Sequence, residues 1–208
     1  MVAFLVQQRI RRIVISTGFN GEAIKRHFNS CSTRSTLGAD LTFAKEHAPL
    51  GTAGGFRNAV QSVVGLNKSP RFWLVMNGDS LVASSLSGLF QSTAASAADA
   101  ALMVLHSEDT ARYGRVMCDE NGYVREFCEK RGGPGLVSSG IYLLGEHLIE
   151  LFPERLPLSF ELDVFPELLR RGTKLFAVVC EAPFLDIGTP ETLPKAEEFV
   201  RCSLGYLV

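Results

Sequence analysis

Phe72-Trp73-Leu74-Val75-Met76-Asn77-Gly78-Asp79 is the stretch that decides the fold. An apolar run from Phe72 to Met76 gives way abruptly to Asn-Gly-Asp. An unbroken apolar run that stops at a turn predicts a strand buried on both faces, the pattern of a parallel sheet. Ligands of open α/β sheets bind beyond the carboxyl ends of the strands. Asp79 is therefore expected at the mouth of a site, on a loop held by a rigid strand. Taken alone, Asn-Gly-Asp reads better as a plain turn, since each of these residues favours turns for local reasons.

Toward the amino end, residues 2–8 read as the tail of a helix. Arg9, Arg11 and Arg12 follow it, where positive charge suits the helix dipole. Ile13-Val14-Ile15 predicts a short buried strand. Gly18-Phe19-Asn20-Gly21 predicts a turn, with Asn20 as N-cap of a helix over 22–28. Residues 30–38 are small and polar, hence a loop. Leu41 and Phe43 alternate with Thr42 and Lys45 in a strand that ends near Glu46. A turn-rich loop over 47–55 then feeds a helix, because Ala53, Phe56, Ala59, Val60, Val63 and Val64 keep helical spacing.

Toward the carboxyl end, Leu86, Leu89 and Phe90 mark a helix and 100–105 an apolar strand. Strand alternating with helix predicts a doubly wound sheet. The second half departs from that alternation. Asn121-Gly122 between two alternating runs, Arg115–Cys118 and 123–127, is a strong hairpin signal. Strands follow over 140–144, 175–180 and 184–186, and helices over 146–152, 162–171 and 191–202. There is no internal repeat and no linker, so a single domain over 1–208 is expected.

At 208 residues the chain is long enough for one α/β domain with a sizeable core. A net charge of −1 leaves no basic face and argues against nucleic acid as a partner. The apolar runs are too short to cross a bilayer, so no membrane partner is expected. Residues 1–6 lack the basic leader and cleavage site of a signal peptide. Cys31, Cys118, Cys128, Cys180 and Cys202 are odd in number and lack C-x-x-C spacing, which fits a reducing cytoplasm better than a disulfide frame. His27, His47, His106 and His147 are scattered, without metal-ligand spacing.

Four stretches lie at strand ends or in loops, where functional residues concentrate: 46–55, 77–79, 127–130 and 184–190. Asp79 and Asp186 each follow an apolar strand near a glycine. Two carboxylates that converge on one cleft can hold Mg²⁺, a hard cation that keeps several waters for phosphate oxygens. The alternative is two unrelated turn aspartates.

Together the stretches resemble the sugar-1-phosphate nucleotidyltransferase family. The resemblance covers nearly the whole chain through Pro49-Leu-Gly-Thr-Ala-Gly-Gly55, Asn77-Gly-Asp79, Arg112-Tyr-Gly-Arg-Val116, Glu129-Lys130, Gly140-Ile-Tyr142, Ser159-Phe-Glu161 and Asp186-Ile-Gly-Thr-Pro190. The tyrosine-glycine, glutamate-lysine and serine-x-glutamate stretches look most like the branch that makes nucleoside-diphosphate heptoses or mannoses. D-glycero-α-D-manno-heptose 1-phosphate guanylyltransferases are one type in that branch that the chain resembles. The resemblance implies a nucleotide-diphospho-sugar transferase-like fold: α/β, doubly wound, with a mostly parallel mixed sheet flanked by helices. It implies transfer of a nucleoside monophosphate from a nucleoside triphosphate to a sugar 1-phosphate, with pyrophosphate leaving.

Roles are implied position by position. Leu50, Gly51, Thr52 and Gly54 would receive the nucleobase, glycine letting the backbone approach a flat ring. Glu46 would accept from a base amino group, unless it simply faces solvent. Asp79, carried by Asn77-Gly78, would hold Mg²⁺ with Asp186. Gly114 would let the backbone approach the sugar, and Ser139 and Gly140 would lie on the same side. Glu129 would accept from sugar hydroxyls. Lys130 would neutralise the sugar phosphate as a compact point charge. An exposed strand-end pair is the plain alternative for Glu129-Lys130. The nucleophile is already an anion, so no general base is required. The nucleoside triphosphate and the sugar 1-phosphate are the implied partners, and a homo-oligomer stays open.

Two departures stand out. Ser138 and Ser139 occupy the place where the family carries Asn before small-Gly-Ile-Tyr. The family's opening strand, its arginine-bearing glycine-rich loop and its Pro-Lys-Pro stretch have no counterpart, since residue 1 falls within the helix that follows them. The expectation is a chain truncated at its amino end relative to the family and lacking the first strand. Strands 13–17 and 72–76 would normally both pair with that strand, so a gap or a replacement segment is expected between them. The isolated chain is expected to be poorly stable and inactive. A non-catalytic module that keeps the sugar-phosphate half-site is the alternative function.

Overall fold

The computed structural model describes residues 1–30, 38–63, 70–111, 113–128 and 132–203. They group into two units, Met1–Ser69 with Glu154–Phe160, and Pro70–Pro153 with Glu161–Val208.

The first unit opens with helix α1 (Val2–Gln7), which buries Phe4 and Leu5. Strand β1 (Arg12–Thr17), helix α2 (Gly21–Asn29) and strand β2 (Asp40–Lys45) form a βαβ crossover. The two strands pair in parallel, from Arg12 opposite Asp40 to Thr17 opposite Lys45. A parallel pair needs such a crossover, because a tight turn cannot return the chain in the same direction. Helix α3 (Thr52–Val63) packs on both strands through Ala53, Phe56, Ala59 and Val60. The Phe56 ring meets Phe160 at 5.6 Å between centroids. One expectation is corrected here, and the placing of Asn20 at a helix N-cap holds. Ile13-Val14-Ile15 is half-exposed, and β2 is the ladder partner of β1 among the described residues. Asn20 stands at the N-cap of α2 without a side-chain capping bond; its backbone is left-handed (φ 58), and its carbonyl accepts from Ala23 N–H. The loop over 30–38 falls mostly on 31–37, outside the described residues.

The second unit holds strands β3 (Phe72–Met76) and β4 (Ser80–Val82), helix α4 (Ser87–Ala95), and strands β5 (Ala100–Ser107), β6 (Arg115–Cys118), β7 (Val124–Cys128) and β8 (Gly135–Gly145). A 3₁₀ turn (Glu146–Leu151), a π-helical turn (Phe160–Val164, of which Phe160 belongs to the first unit), helix α5 (Phe165–Arg170), strands β9 (Leu175–Val179) and β10 (Phe184–Asp186), a second 3₁₀ turn (Leu193–Lys195) and helix α6 (Ala196–Ser203) follow. The helices expected over 146–152 and 162–171 thus differ in winding, the first being 3₁₀ and the second opening as a π turn.

Strand β8 is the axis of this unit and is buried from Val137 to Gly145. One of its edges carries β5, antiparallel, and β5 in turn pairs in parallel with β9. Its other edge is shared. β3 runs antiparallel along it from Gly145 to Ile141, and β6 touches it at Leu136. Strands β3 and β6 therefore part company around residues 138–140. β6 turns into β7 through the expected hairpin, with Gly122 left-handed (φ 84) and the Asp119 carboxylate accepting from Asn121 N–H and Tyr123 N–H. Phe165 of α5 stacks on Phe127 at 5.2 Å.

The architecture is the mixed α/β sheet flanked by helices that the sequence predicts. The Phe72 strand itself is corrected: it runs antiparallel to its partner and each of its residues is half-buried. Strands β1 and β3 do not pair with each other and belong to separate sheets. Cys118, Cys128, Cys180 and Cys202 are free thiols. Among the described residues no helix is long and apolar enough to cross a membrane.

Candidate active site

Strand β3 stays on β8 for one residue beyond Met76, because Asn77 N–H donates to the Gly140 carbonyl at 2.9 Å. The chain then turns through Gly78-Asp79 into β4. Strand β4 pairs antiparallel with β10, placing Ser80 opposite Asp186. Ile187 N–H donates to the Asp79 carbonyl at 2.8 Å and closes the end of that ribbon. The register brings Asp79 and Asp186 to the same place. A Cβ built on Gly188 would lie 3.0 Å from Asp186 Oδ1 and 3.1 Å from Asp79 Oδ2. Both carboxylates thus border one small space that only a glycine leaves open. Asp186 Oδ1 is oriented by Gly188 N–H at 2.7 Å.

These donors fit Mg²⁺. Both are hard oxygen ligands, Asp79 is exposed, and the missing Cβ of Gly188 clears the ground between them. Among the described residues no cluster of three or more His, Cys, Asp or Glu stands ready to hold a metal. Two carboxylates with the remaining positions open to water and phosphate oxygens is the habit of Mg²⁺, which dehydrates reluctantly.

Across the opening where β3 and β6 part, Gly114 has φ 76, and a Cβ there would come within 3.0 Å of the Cys128 carbonyl. Tyr113 lays its ring edge-on against Phe184 at 6.0 Å. On the floor, Gly140 has φ 76, and a Cβ would meet Asn77 Nδ2 at 2.6 Å. Ser139 is 1% exposed, and its Oγ has no hydrogen-bond partner among the described residues. Ser138 Oγ donates to Tyr142 Oη, and Tyr142 donates to Glu161 Oε1, both at 3.3 Å. Burial pushes the Tyr142 hydroxyl far up, and the neighbouring Glu161 charge, with Asp79 adding to it, pushes the same way. Glu129 and Lys130 lie outside the described residues. The sequence assigns no role to Glu161 or Tyr142, although both sit inside motifs that carry the family resemblance. The signal was the motif itself; the contact between them needs the fold.

In the first unit the 46–55 loop is stitched to Glu154–Phe160. Leu158 N–H donates to the Leu50 carbonyl at 2.7 Å, and Ala53 and Gly54 N–H donate back to the Leu158 carbonyl at 2.9 and 3.1 Å. Phe160 N–H donates to Thr52 Oγ1 at 3.1 Å. Gly51 is left-handed (φ 77), and a Cβ there would sit 2.5 Å from the Leu158 oxygen. Glu46 braces the same loop: its Oε1 accepts from Ser16 at 2.7 Å and its Oε2 from Leu50 N–H at 3.4 Å. Gly55 leaves room for that carboxylate, since a Cβ would approach Oε1 to 2.7 Å. Glu46 thus has a structural task beside any contact with a base. Gly51 and Thr52 are exposed, and Gly54 is buried against Leu156. An open pocket of about 400 Å³ lies beside Leu50, Gly54, Arg57 and Leu156. Glu46, Leu50, Gly51, Thr52 and Gly54 therefore assemble in this unit, and Asn77, Gly78, Asp79, Gly114, Ser139, Gly140 and Asp186 in the other.

The pattern of the nucleotidyl transferase family matches residues 1–203. The chain is 30% identical over 197 residues to a mannose-1-phosphate guanylyltransferase of Mycobacterium tuberculosis, covering 93% of this chain and 51% of that protein. It is 27% identical over 197 residues to the D-glycero-alpha-D-manno-heptose 1-phosphate guanylyltransferase of Aneurinibacillus thermoaerophilus, covering 94% and 80%. The crystal structure of HddC from Yersinia pseudotuberculosis superposes with a TM-score of 0.78 at 29% identity, over 95% of this chain and 82% of that one. A second HddC structure, complexed with GMP-PN, gives 0.77 at 28% identity, over 94% and 82%. The chain spans about half the length of the mannose-1-phosphate guanylyltransferase it matches. Because the family pattern runs through nearly every described element, from α1 to α6, the chain belongs to the nucleotidyl transferase family.

Proposed function

We propose that the chain transfers a guanylyl group from GTP to a sugar 1-phosphate of heptose or mannose type, giving the nucleotide sugar and pyrophosphate. The observation that carries this reading is the convergence of Asp79 and Asp186 on the space beside Gly188. The names of the relatives support the base and the sugar class. An oxygen of the sugar phosphate attacks the α-phosphorus, a new P–O bond forms, and the bond to pyrophosphate breaks. Such transfers ask chiefly for positioning and neutralisation of charge. The attacking oxygen is already anionic, so no residue need take a proton.

Asp79 and Asp186 would hold Mg²⁺, which supplies neutralisation of the phosphate oxygens when bound. Gly114 leaves the backbone open toward the sugar. Lys130 gives a point charge to its phosphate, and Glu129 accepts from its hydroxyls. The backbone of residues 50–54, whose loop Glu46 braces, is the stretch that the family resemblance assigns to the base.

The test, which decides equally the expectation of an inactive chain, is release of pyrophosphate by the purified chain from GTP with mannose 1-phosphate or heptose 1-phosphate. Asp79→Asn and Asp186→Asn are each expected to lower kcat by about a hundredfold or more, the scale on which fixed charge stabilises such transition states. Turnover untouched by both substitutions would overturn the assignment. Sugar phosphate binding without turnover, read by calorimetry, would favour the non-catalytic module instead.

A further inference from the structure

A one-way run of hydrogen bonds lies beneath the Asn77-Gly78-Asp79 turn. Gly140 N–H donates to Ser138 Oγ at 3.2 Å, the Ser138 hydroxyl donates to Tyr142 Oη at 3.3 Å, and the Tyr142 hydroxyl donates to Glu161 Oε1 at 3.3 Å. Every donor in the run points the same way, and the run ends on a carboxylate, the strongest acceptor a protein offers. At the other end, the Gly140 carbonyl accepts from Asn77 N–H at 2.9 Å. The Gly140 residue therefore links Glu161 to the backbone that carries Asp79.

The linkage sits at an irregularity. Along β5 and β8 the register jumps from Leu102 opposite Tyr142 to Val104 opposite Ser138, so residues 139–141 bulge. Ser138 and Tyr142 stand at the two feet of that bulge, and their hydrogen bond pins it. Bulges beside active sites re-aim side chains and persist because the surroundings hold them. Gly140 at φ 76 provides the bend, and the space of its missing Cβ is taken by the Asn77 amide. Glu161 comes from the π-helical turn Phe160–Val164, a winding that is rare and concentrated at functional sites. Tyr142 is fully buried, so its hydroxyl must be paired inside the protein.

We propose that Glu161, acting through Tyr142 and Ser138, is a positioning residue that fixes the Gly140 bulge and thereby the aim of Asn77 and Asp79. Its kinetic consequence rests on the reading of Asp79 as a carboxylate of the reaction centre; the structural coupling does not. In this run Glu161 is the terminal hydrogen-bond acceptor, a part that an uncharged amide oxygen can also play.

The experiment compares Glu161→Gln, Glu161→Leu and Tyr142→Phe in the full chain, by hydrogen exchange of segments 74–80 and 137–143 and by pyrophosphate release. Gln keeps an acceptor oxygen, so E161Q is expected to match the parent in both readouts. E161L and Y142F are expected to speed exchange of both segments by about tenfold, the equivalent of one hydrogen bond, and to lower kcat by at least as much with KM for GTP little changed. Y142F conserves the ring, and carries the test if E161L does not fold. Exchange unchanged in Y142F overturns the coupling. E161Q as impaired as E161L overturns the acceptor role and makes Glu161 a charge that meets substrate or metal. If the parent releases no pyrophosphate, the proposed reaction fails, while the exchange comparison still decides the positioning role.

Discussion

Three glycines near the candidate site differ in what forces them to be glycine, and their substitutions should differ accordingly. Gly51 has φ 77, and its Cβ would stand 2.5 Å from the backbone oxygen of Leu158, an atom already accepting from Ala53 and Gly54. Neither the dihedral nor that oxygen can give way. Gly51→Ala is expected to cost about 2 kcal/mol or more in a urea melt, combining left-handed strain of roughly 1–2 kcal/mol with the collision. Gly140 is left-handed too, but the atoms in the way belong to one side chain, Asn77, from Nδ2 at 2.6 Å to Cβ at 3.0 Å. Alanine there should displace the Asn77 amide and damage turnover as well as stability. Gly78 meets nothing within 4 Å. Gly78→Ala is expected to leave stability within about 0.5 kcal/mol, as open surface positions do. A loss of turnover in that variant, with an unchanged melt, would show that the backbone at Gly78 is approached by substrate.

Among the elements, α3 and α5 are held by different forces. The buried face of α3 sets Phe56 against Phe160, a contact between residues far apart in sequence. Phe56→Ala is expected to cost about 3–5 kcal/mol, the usual penalty of emptying a buried aromatic site. Helix α5 is tied at its end by charge. Arg170 donates to both oxygens of Glu167 at 2.9 and 2.7 Å, and Arg171 adds a bond at 2.6 Å. The Arg170 hydrogen bond first, then that of Arg171, holds the Glu167 carboxyl down at about 2, below its usual 4.5. A depressed carboxyl stabilises the fold above its unfolded value and ceases to do so as pH falls through the folded one. The contribution is therefore complete above about pH 4.5 and lost toward pH 2. Melting temperature followed across that window should fall less steeply in Glu167→Gln than in the parent; identical slopes would show that the pair is too well solvated to matter.

At the scale of the whole molecule, the two units are built to different depths. In the second, β5 is buried from Ala100 to Leu105 and β8 from Val137 to Gly145. In the first, every residue from Ile13 to Ile15 is half-exposed, and α2 buries no side chain completely. Local opening is cheapest where buried contacts are few. Native-state hydrogen exchange should find the slowest amides in β5 and β8 and faster ones in β1 and β2. The reverse order would mean that unit one is stabilised by something other than burial of its own strands.

The sequence by itself determined the elements and the class. Apolar spacing marked α3, the run at Phe72 marked a strand, Asn121-Gly122 marked a hairpin, and the order of motifs marked the family. These are local signals: periodicity, turn chemistry and side-chain shape act over a few residues. Pairing was decided by the tertiary structure. Nothing in Phe72-Trp73-Leu74-Val75-Met76 says that its partner is β8 or that the two run antiparallel, because an apolar strand satisfies either ladder. The meeting of Asp79 with Asp186 likewise depends on the β4–β10 register, in which a slip of one residue would turn every side chain to the opposite face. Glu161 joined the site only when the chain brought a π-helical turn against Tyr142. A side chain's character is written in its own residue, but its partner is chosen by burial and hydrogen bonding among residues distant in the chain.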